Sequence, residues 1–385
     1  MRILIFIQNL GMGGVIRQLS YLAPQLKKRG HDVSVLALYE NDRDWEHIRD
    51  GEPLEVRTLL RQESGTGFLG AISAIKVVSE LIRILKNENI EILYSMSGNT
   101  VRIISWVAAR TLPDIKLVWG FRGSGRDIRP FGRIMKYTLP LYIHRWLSPS
   151  IPLAIANSYA GLSFRERSGH RFFRRTVVHN GIDTAGFKPD NEARSRLRSE
   201  WKVSGEEKLI GIAGRIVPSK GYPAFIEAAS YILKERTDVR FVCTGSGGEA
   251  YRKEMELLGS EFGLDSRLIW AGVRMDMPSV YNAIDILCSS SNKGEGFPNV
   301  IGEAMACGKP CVVTDVGDSA RIVGESGIAV PPGDPKLLAN GMMTVLDGLS
   351  DMDPLKIRSR IVRNFGIEKM VDETEKALQD VLDGG

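Results

Sequence analysis

Two apolar runs that break into glycines constrain the fold more than any other feature of the chain: "RILIFI" running into "GMGG" at the start, and "KLIGIAGR" running into "IVPSKGY" from Lys208. A strand in a parallel sheet reads as near-continuous Val, Ile and Leu, because helices cover both of its faces. Further runs of this kind lie at residues 32–39, 90–94, 116–121 and 153–157, with helical periods at 15–29, 68–87 and 101–111. The plan restarts after residue 190, with strands at 239–244, 268–271, 285–289 and 310–314 and a helix at 223–236. Strand alternating with helix predicts an α/β chain of two facing Rossmann-like, doubly wound parallel-sheet domains with a cleft between them. A length of 385 residues suits two domains. The expected division is 1–179, 180–366 and a closing helix, 367–385, whose Met370, Val371, Leu378, Val381 and Leu382 need a packing partner on the first domain.

Composition removes several function classes. The initial apolar run has no cleavage site and reaches glycine too early for a signal peptide or a span, so a cytoplasmic protein is expected. The four cysteines lie in apolar runs or beside a turn, without histidines at zinc spacing. A net charge of only +5 argues against nucleic acid as a partner. That charge is uneven, however. From 121 to 175 the many arginines and Lys136 face only Asp127 and Glu166, and Phe131, Tyr137, Tyr142 and Trp146 are interleaved with them. Such a segment suits peripheral contact with an anionic membrane; a solvated basic face around a core helix is the other reading.

The chemistry concentrates in "KGEGFPNVIGEAMACGKP", where Glu295 and Glu303 flank a Gly-Phe-Pro-Asn turn. Pro298 is pre-set for a first helical turn, and residues 299–307 read helical up to Gly308. Glu295 then precedes the helix and Glu303 lies within it, with the unpaired N–H groups of the helix start between them, an arrangement that suits a ligand with both anionic and hydroxyl groups. Arg215 and Lys220, after the first strand of the second half and without obvious acidic neighbours, suit a diphosphate. "GMGG" has Ile16 where a dinucleotide fingerprint needs its third glycine, and "TGSGGEA" lacks the following acid, so both are read as close-approach loops. The aspartate pairs 42/44 and 351/353 read as exposed loop, so no metal is expected, and the five histidines show no catalytic spacing.

These motifs, together with "VVHNGID", "CTGSGGE" and "GGVIRQL", resemble the retaining glycosyltransferases of the group 1 (GT4) family, with the GT-B fold. The resemblance implies transfer of a sugar from a nucleotide-diphosphate sugar, a UDP-sugar, to a hydroxyl of a glycan or lipid-linked acceptor in envelope polysaccharide assembly, with the nucleotide sugar as substrate and no resident cofactor. It implies that Glu303 holds the ribose, that Arg215 and Lys220 hold the diphosphate, and that Glu295 with the amides after Gly296 meets the sugar. Gly13 and Gly14 would close over the donor. Asn180, Gly214, Gly245, Val273, Phe297, Pro298, Asn299 and Val300 complete the expected donor site, and Arg215, Lys220 and Glu295 the catalytic set. Where relatives carry a histidine in a phrase like "FHTS", this chain has "FRGS"; Arg122, with Arg126 and Arg129, is expected to bind an anionic acceptor group. The alternatives are a nucleotide-sugar epimerase and a non-catalytic sugar-nucleotide-binding protein.

Overall fold

The computed structural model describes residues 1–9, 14–40, 55–61, 71–123 and 142–384. It divides into two units: Met1–Gly181 with Ile367–Gly385, and Ile182–Gly366.

The first unit is built on β1 (Arg2–Asn9), β2 (Asp32–Glu40), β3 (Val56–Arg61), β4 (Ile92–Ser95), β5 (Lys116–Phe121), β6 (Leu153–Ala156) and β7 (Arg174–Val177). These form a parallel sheet in the order β3-β2-β1-β4-β5-β6-β7. Between the strands run α1 (Gly14–Lys28), α2 (Ala71–Asn87), α3 (Asn99–Arg110), α4 (residues 142–147) and α5 (Tyr159–Arg167). The apolar run of β1 is fully used. Ile3, Ile5 and Ile7 pack with Ile16, Leu19, Leu22 and Leu26 of α1, whereas Leu4 and Phe6 join Val77 and Leu81 of α2 and Val101 and Ile104 of α3. Side chains alternate across the sheet, and helices cover both faces, so no polar residue interrupts the run. β3 and β7 were absent from the sequence reading. They are the two edge strands, "VRTLLR" and "RRTV", and an edge that meets solvent carries charge rather than the apolar signature.

The second unit contains α6 (Asn191–Glu200), β8 (Lys208–Ala213), α7 (Tyr222–Glu235), β9 (Val239–Thr244), α8 (Glu249–Glu261), β10 (Leu268–Gly272), α9 (Met277–Ala283) and β11 (Ile286–Ser289). It continues through α10 (Asn299–Ala306), β12 (Cys311–Thr314), α11 (Ser319–Val323), β13 (Gly327–Val330), α12 (Pro335–Asp347) and α13 (Pro354–Phe365). Its parallel sheet runs β10-β9-β8-β11-β12-β13, so the winding direction reverses between β8 and β11. Loops leaving those two neighbouring strands diverge to opposite faces, and this opening is where sheets of the class bind ligands. Asp285, just before β11, is nine-tenths buried; it pairs with Arg194 at 2.6 Å and Arg198 at 3.2 Å and accepts the Leu209 amide at 2.7 Å, which ties α6 to the sheet. All four cysteines are buried thiols.

The closing helix, α14 (Ile367–Leu382), packs on α1 and completes the core of the first unit with Met370, Val371, Leu378 and Val381. Its polar margin is held by Arg29, which contacts Asp372 and Glu375 at 2.6 Å, and by His31 Nε2, also 2.6 Å from Glu375. Among the described residues no helix is long and apolar enough to cross a membrane, and no group of three acidic, histidine or cysteine side chains could hold a metal ion.

Candidate functional site

At the end of β8 the chain turns at Gly214 (φ 144°), whose carbonyl accepts the Tyr222 hydroxyl at 2.9 Å. At the end of β9, Gly245 (φ 145°) comes so close that a Cβ there would lie 1.9 Å from the Gly214 oxygen, so the two strand ends can meet only with glycine at 245, while Gly214 is favoured by its own positive φ. After Gly214 come Arg215, which is exposed and pairs with no acid among the described residues, and a 3-10 turn over Pro218–Lys220 that ends at Gly221 (φ 67°). This loop is stitched to the one after β11. Ser290 Oγ donates to the carbonyls of Lys220 at 3.1 Å and Gly221 at 2.9 Å, and the Asn292 amide donates to the Ser219 oxygen at 2.9 Å.

The stitching brings Lys220 to Glu295, and here the structure corrects the sequence reading. Lys220 does have an acidic neighbour: its Nζ donates to Glu295 Oε1 at 2.6 Å, with side chains 23% and 12% exposed. Ser291 Oγ donates to the same oxygen at 2.7 Å, and Thr314 Oγ1 fixes the Ser291 carbonyl at 2.6 Å. Among the described residues Glu295 Oε2 accepts no hydrogen bond, so one carboxylate oxygen is fixed and the other remains available as an acceptor.

Pro298 immediately precedes the helix, whose start is where the sequence places it. With ψ 102° it is the N-cap residue and α10 begins at Asn299; the helix ends where Gly308 (φ 77°) donates to Met305. Glu303 is 4% exposed on this helix, and the fully buried Tyr281 of α9 donates its hydroxyl to Glu303 Oε2 at 2.7 Å. Phe297 belongs to the core, its ring 5.4 Å from that of Phe365, so only its backbone can serve a ligand. Gly296 is buried, and its carbonyl accepts the Asp318 amide at 2.9 Å. Asn299 and Val300 are half-buried at the helix start, and Val273 is exposed after β10.

In the first unit Gly14 opens α1 and is exposed, while Gly13, Arg126 and Arg129 lie outside the described residues. Asn180 belongs to this unit, not to the second. Its Oδ1 accepts from Arg122 at 3.3 Å and from Asn157 at 3.4 Å, and Arg122 also donates to the Tyr94 hydroxyl at 3.1 Å. Among the described residues every hydrogen-bond partner of Arg122 is neutral, and its buried Nε has none. Motifs 163 residues apart meet at Gln18, which donates to the Gly181 carbonyl at 3.0 Å and accepts its amide at 2.7 Å. Beside Arg122, the Phe121 ring is flanked by Arg102 at 4.4 Å and Arg165 at 4.8 Å. Burial pushes these guanidinium groups down to about 9 and about 10. Burial, reinforced by nearby arginines, pushes His144 down to about 3 and His170 down to about 4, so both are neutral imidazoles in the folded protein.

Sequence reasoning missed Tyr281, Ser291, Thr314 and Gln18. Tyr281 follows the apolar period of a core helix, and serines beside a strand end look like any loop. Only the register of β11 beside β8 and β12 reveals what they hold.

Two parallel-sheet units of this kind, with a paired-glutamate loop at the reversal point of the second, define the GT-B class of fold. The model described as glycosyl transferases group 1 matches residues 207–348, and that of glycosyltransferase family 4 matches residues 12–185. Together they support a group 1, family 4 type of glycosyltransferase. The chain is 26% identical to the UDP-Gal:alpha-D-GlcNAc-diphosphoundecaprenol alpha-1,3-galactosyltransferase of Escherichia coli, over 82% of this chain and 81% of that protein. It is 27% identical to the lipopolysaccharide core biosynthesis mannosyltransferase LpsB of Rhizobium meliloti, over 50% of this chain and 57% of that one. A D-inositol 3-phosphate glycosyltransferase of Corynebacterium efficiens is 35% identical over 45% of this chain and 43% of its own, so the match spans about half the length of these two relatives. Among solved structures, Anabaena HepE in complex with UDP superposes with a TM-score of 0.81 at 22% identity, covering 99% of this chain and 100% of that one, which shows the shared fold.

Proposed function

We propose that this protein is a retaining, metal-independent glycosyltransferase that moves a sugar from a UDP-sugar to a hydroxyl of a glycan or lipid-linked acceptor, on the cytoplasmic side of the membrane in envelope polysaccharide assembly. The observation that carries the reading is the fixing of both glutamates beside the reversal point, Glu295 by Lys220 and Ser291 and Glu303 by Tyr281. Glu303 suits the ribose hydroxyls. Glu295 Oε2, with the amides that follow Gly296, suits a sugar hydroxyl. Lys220 and the exposed Arg215 suit the diphosphate, whose negative charge grows as the bond from the anomeric carbon to the phosphate oxygen breaks; fixed cations stabilise that state more than the ground state. The acceptor oxygen then bonds to the same face of the anomeric carbon, and its proton passes to the departing diphosphate. No protein base is required, which is compatible with arginine at position 122. Arg122, and with it Arg126 and Arg129, is assigned to an anionic group of the acceptor. The similarity to an alpha-1,3-galactosyltransferase that acts on a diphosphoundecaprenol-linked sugar and to a mannosyltransferase of lipopolysaccharide core biosynthesis supports the acceptor class.

The test is calorimetry with UDP, GDP and ADP, followed by UDP release from UDP-sugars with and without a lipid-linked acceptor, in the presence of chelator. UDP binding, acceptor-dependent release and an axial product linkage from an axial donor are expected. An epimerised free nucleotide sugar, or binding without turnover, would replace this reading with one of its alternatives. Unchanged acceptor affinity and turnover in Arg122→Ala would remove that residue's assignment.

A further inference from the structure

The first unit exposes large aromatic rings among arginines. On α4, Tyr142 is 61% and Trp146 77% exposed, and with Arg145, Pro149, Gly169 and Arg171 they line a cavity of about 410 Å³. The surrounding surface is continuous with it. Trp106 of α3 is 6.4 Å from Trp146, donates to Ser150 at 2.8 Å and carries the Arg110 guanidinium 5.8 Å from its ring. The segment after Gly169 runs alongside, with the Arg171 amide donating to Ser148 Oγ and the Phe173 amide to the Ile151 carbonyl, and the Phe173 ring is 76% exposed. Arg110, Arg145 and Arg171 are exposed and pair with no carboxylate among the described residues. The cavity lining contains no acid.

Exposed tryptophan and tyrosine are costly in water but favoured at the level of lipid headgroups, where the ring meets acyl chains and its polar edge meets water. Arginines without acidic partners attract anionic lipid, each strengthening partitioning about fivefold. A binding platform for neutral sugar would need the rings but not three unpaired cations, so charge complementarity favours lipid. We propose that this face is a membrane-docking surface, with the Arg145 and Arg171 cavity taking the phosphodiester headgroup of an anionic phospholipid while Trp146 and Tyr142 enter the interface. The assignment deepens the peripheral, membrane-side reading made above and gives it particular residues.

The experiment is co-sedimentation of the full chain with vesicles of phosphatidylcholine alone and of an equimolar mixture with phosphatidylglycerol, for the wild type, Arg145→Glu/Arg171→Glu, Trp146→Ser and a control, Lys356→Glu, on the second unit. Binding only to the anionic vesicles is expected, with loss of about tenfold or more in the double reversal and in Trp146→Ser, no change in the control, and weakening by salt in the wild type. Equal binding of the double reversal and the wild type, or equal binding to neutral vesicles, overturns the proposal, as does displacement of the protein by a soluble acidic glycan. The salt titration reads the same charge without any substitution, should a variant not fold. UDP calorimetry on the same samples separates the two claims. Vesicle binding without UDP binding removes the transferase reading and leaves the docking surface, and the reverse result removes only the surface.

Discussion

Replacing Tyr281 by phenylalanine removes one oxygen atom and probes the proposed donor site without touching either glutamate. The hydroxyl donates at 2.7 Å to Glu303 Oε2, and both side chains are buried, at 0% and 4% exposure. A hydrogen bond to an ionised carboxylate contributes about 1.5–3 kcal/mol, and the larger value applies when the deprived partner stays buried. For a unit the size of the second one each kcal/mol moves Tm by about 2–4 °C, so the midpoint should fall by about 3–12 °C. Because Glu303 is the residue assigned to the ribose, loosening it should also weaken UDP about tenfold, equivalent to about 1.4 kcal/mol. Inorganic pyrophosphate, which has no ribose, should bind unchanged. Calorimetry with UDP and pyrophosphate, beside thermal unfolding of the ligand-free protein, reads all three effects. If Tyr281→Phe unfolds and binds UDP as the wild type does, Tyr281 does not hold Glu303 in solution; if UDP and pyrophosphate weaken equally, Glu303 does not serve the ribose.

Glu295→Gln keeps an acceptor for Ser291 but withdraws the charge opposed to Lys220; UDP affinity should hold or rise, while turnover of a UDP-sugar falls about 100-fold, as read in an initial-rate assay. Gly245→Ala places a methyl carbon 1.9 Å from the Gly214 oxygen in a backbone conformation that L residues rarely adopt. A loss of more than about 2 kcal/mol in urea unfolding is expected, and a wild-type midpoint would refute the close approach of those loops. His170, pushed down to about 4 chiefly by burial, takes up its proton near 6.5 only when the chain unfolds. Its contribution is therefore complete above pH 6.5 and is lost as pH falls toward 4, by about 3 kcal/mol. His144 behaves alike, so His170→Phe should remove about half of the pair's slope in stability against pH; an unaltered slope would show that the ring is hydrated.

The amino-acid sequence by itself determined the two sheets and most of their strands. A strand buried on both faces, such as Ile3–Ile7, can be made only of apolar residues, and glycines at 221 and 245 record backbone that comes too close for a Cβ. The paired glutamates and the helix between them were legible for the same local reason, since Pro298 and Gly308 bound a short helix within ten residues. Tertiary structure alone decided who meets whom. The order β8-β11 sets Lys220 against Glu295 across 75 residues, and α9 beside α10 sets Tyr281 against Glu303. Edge strands β3 and β7 were invisible because solvent relaxes the demand for apolar side chains. Periodicity reports which face of an element is buried, whereas the partner of a polar side chain depends on strand order, and strand order is settled by how the helices cover the whole sheet.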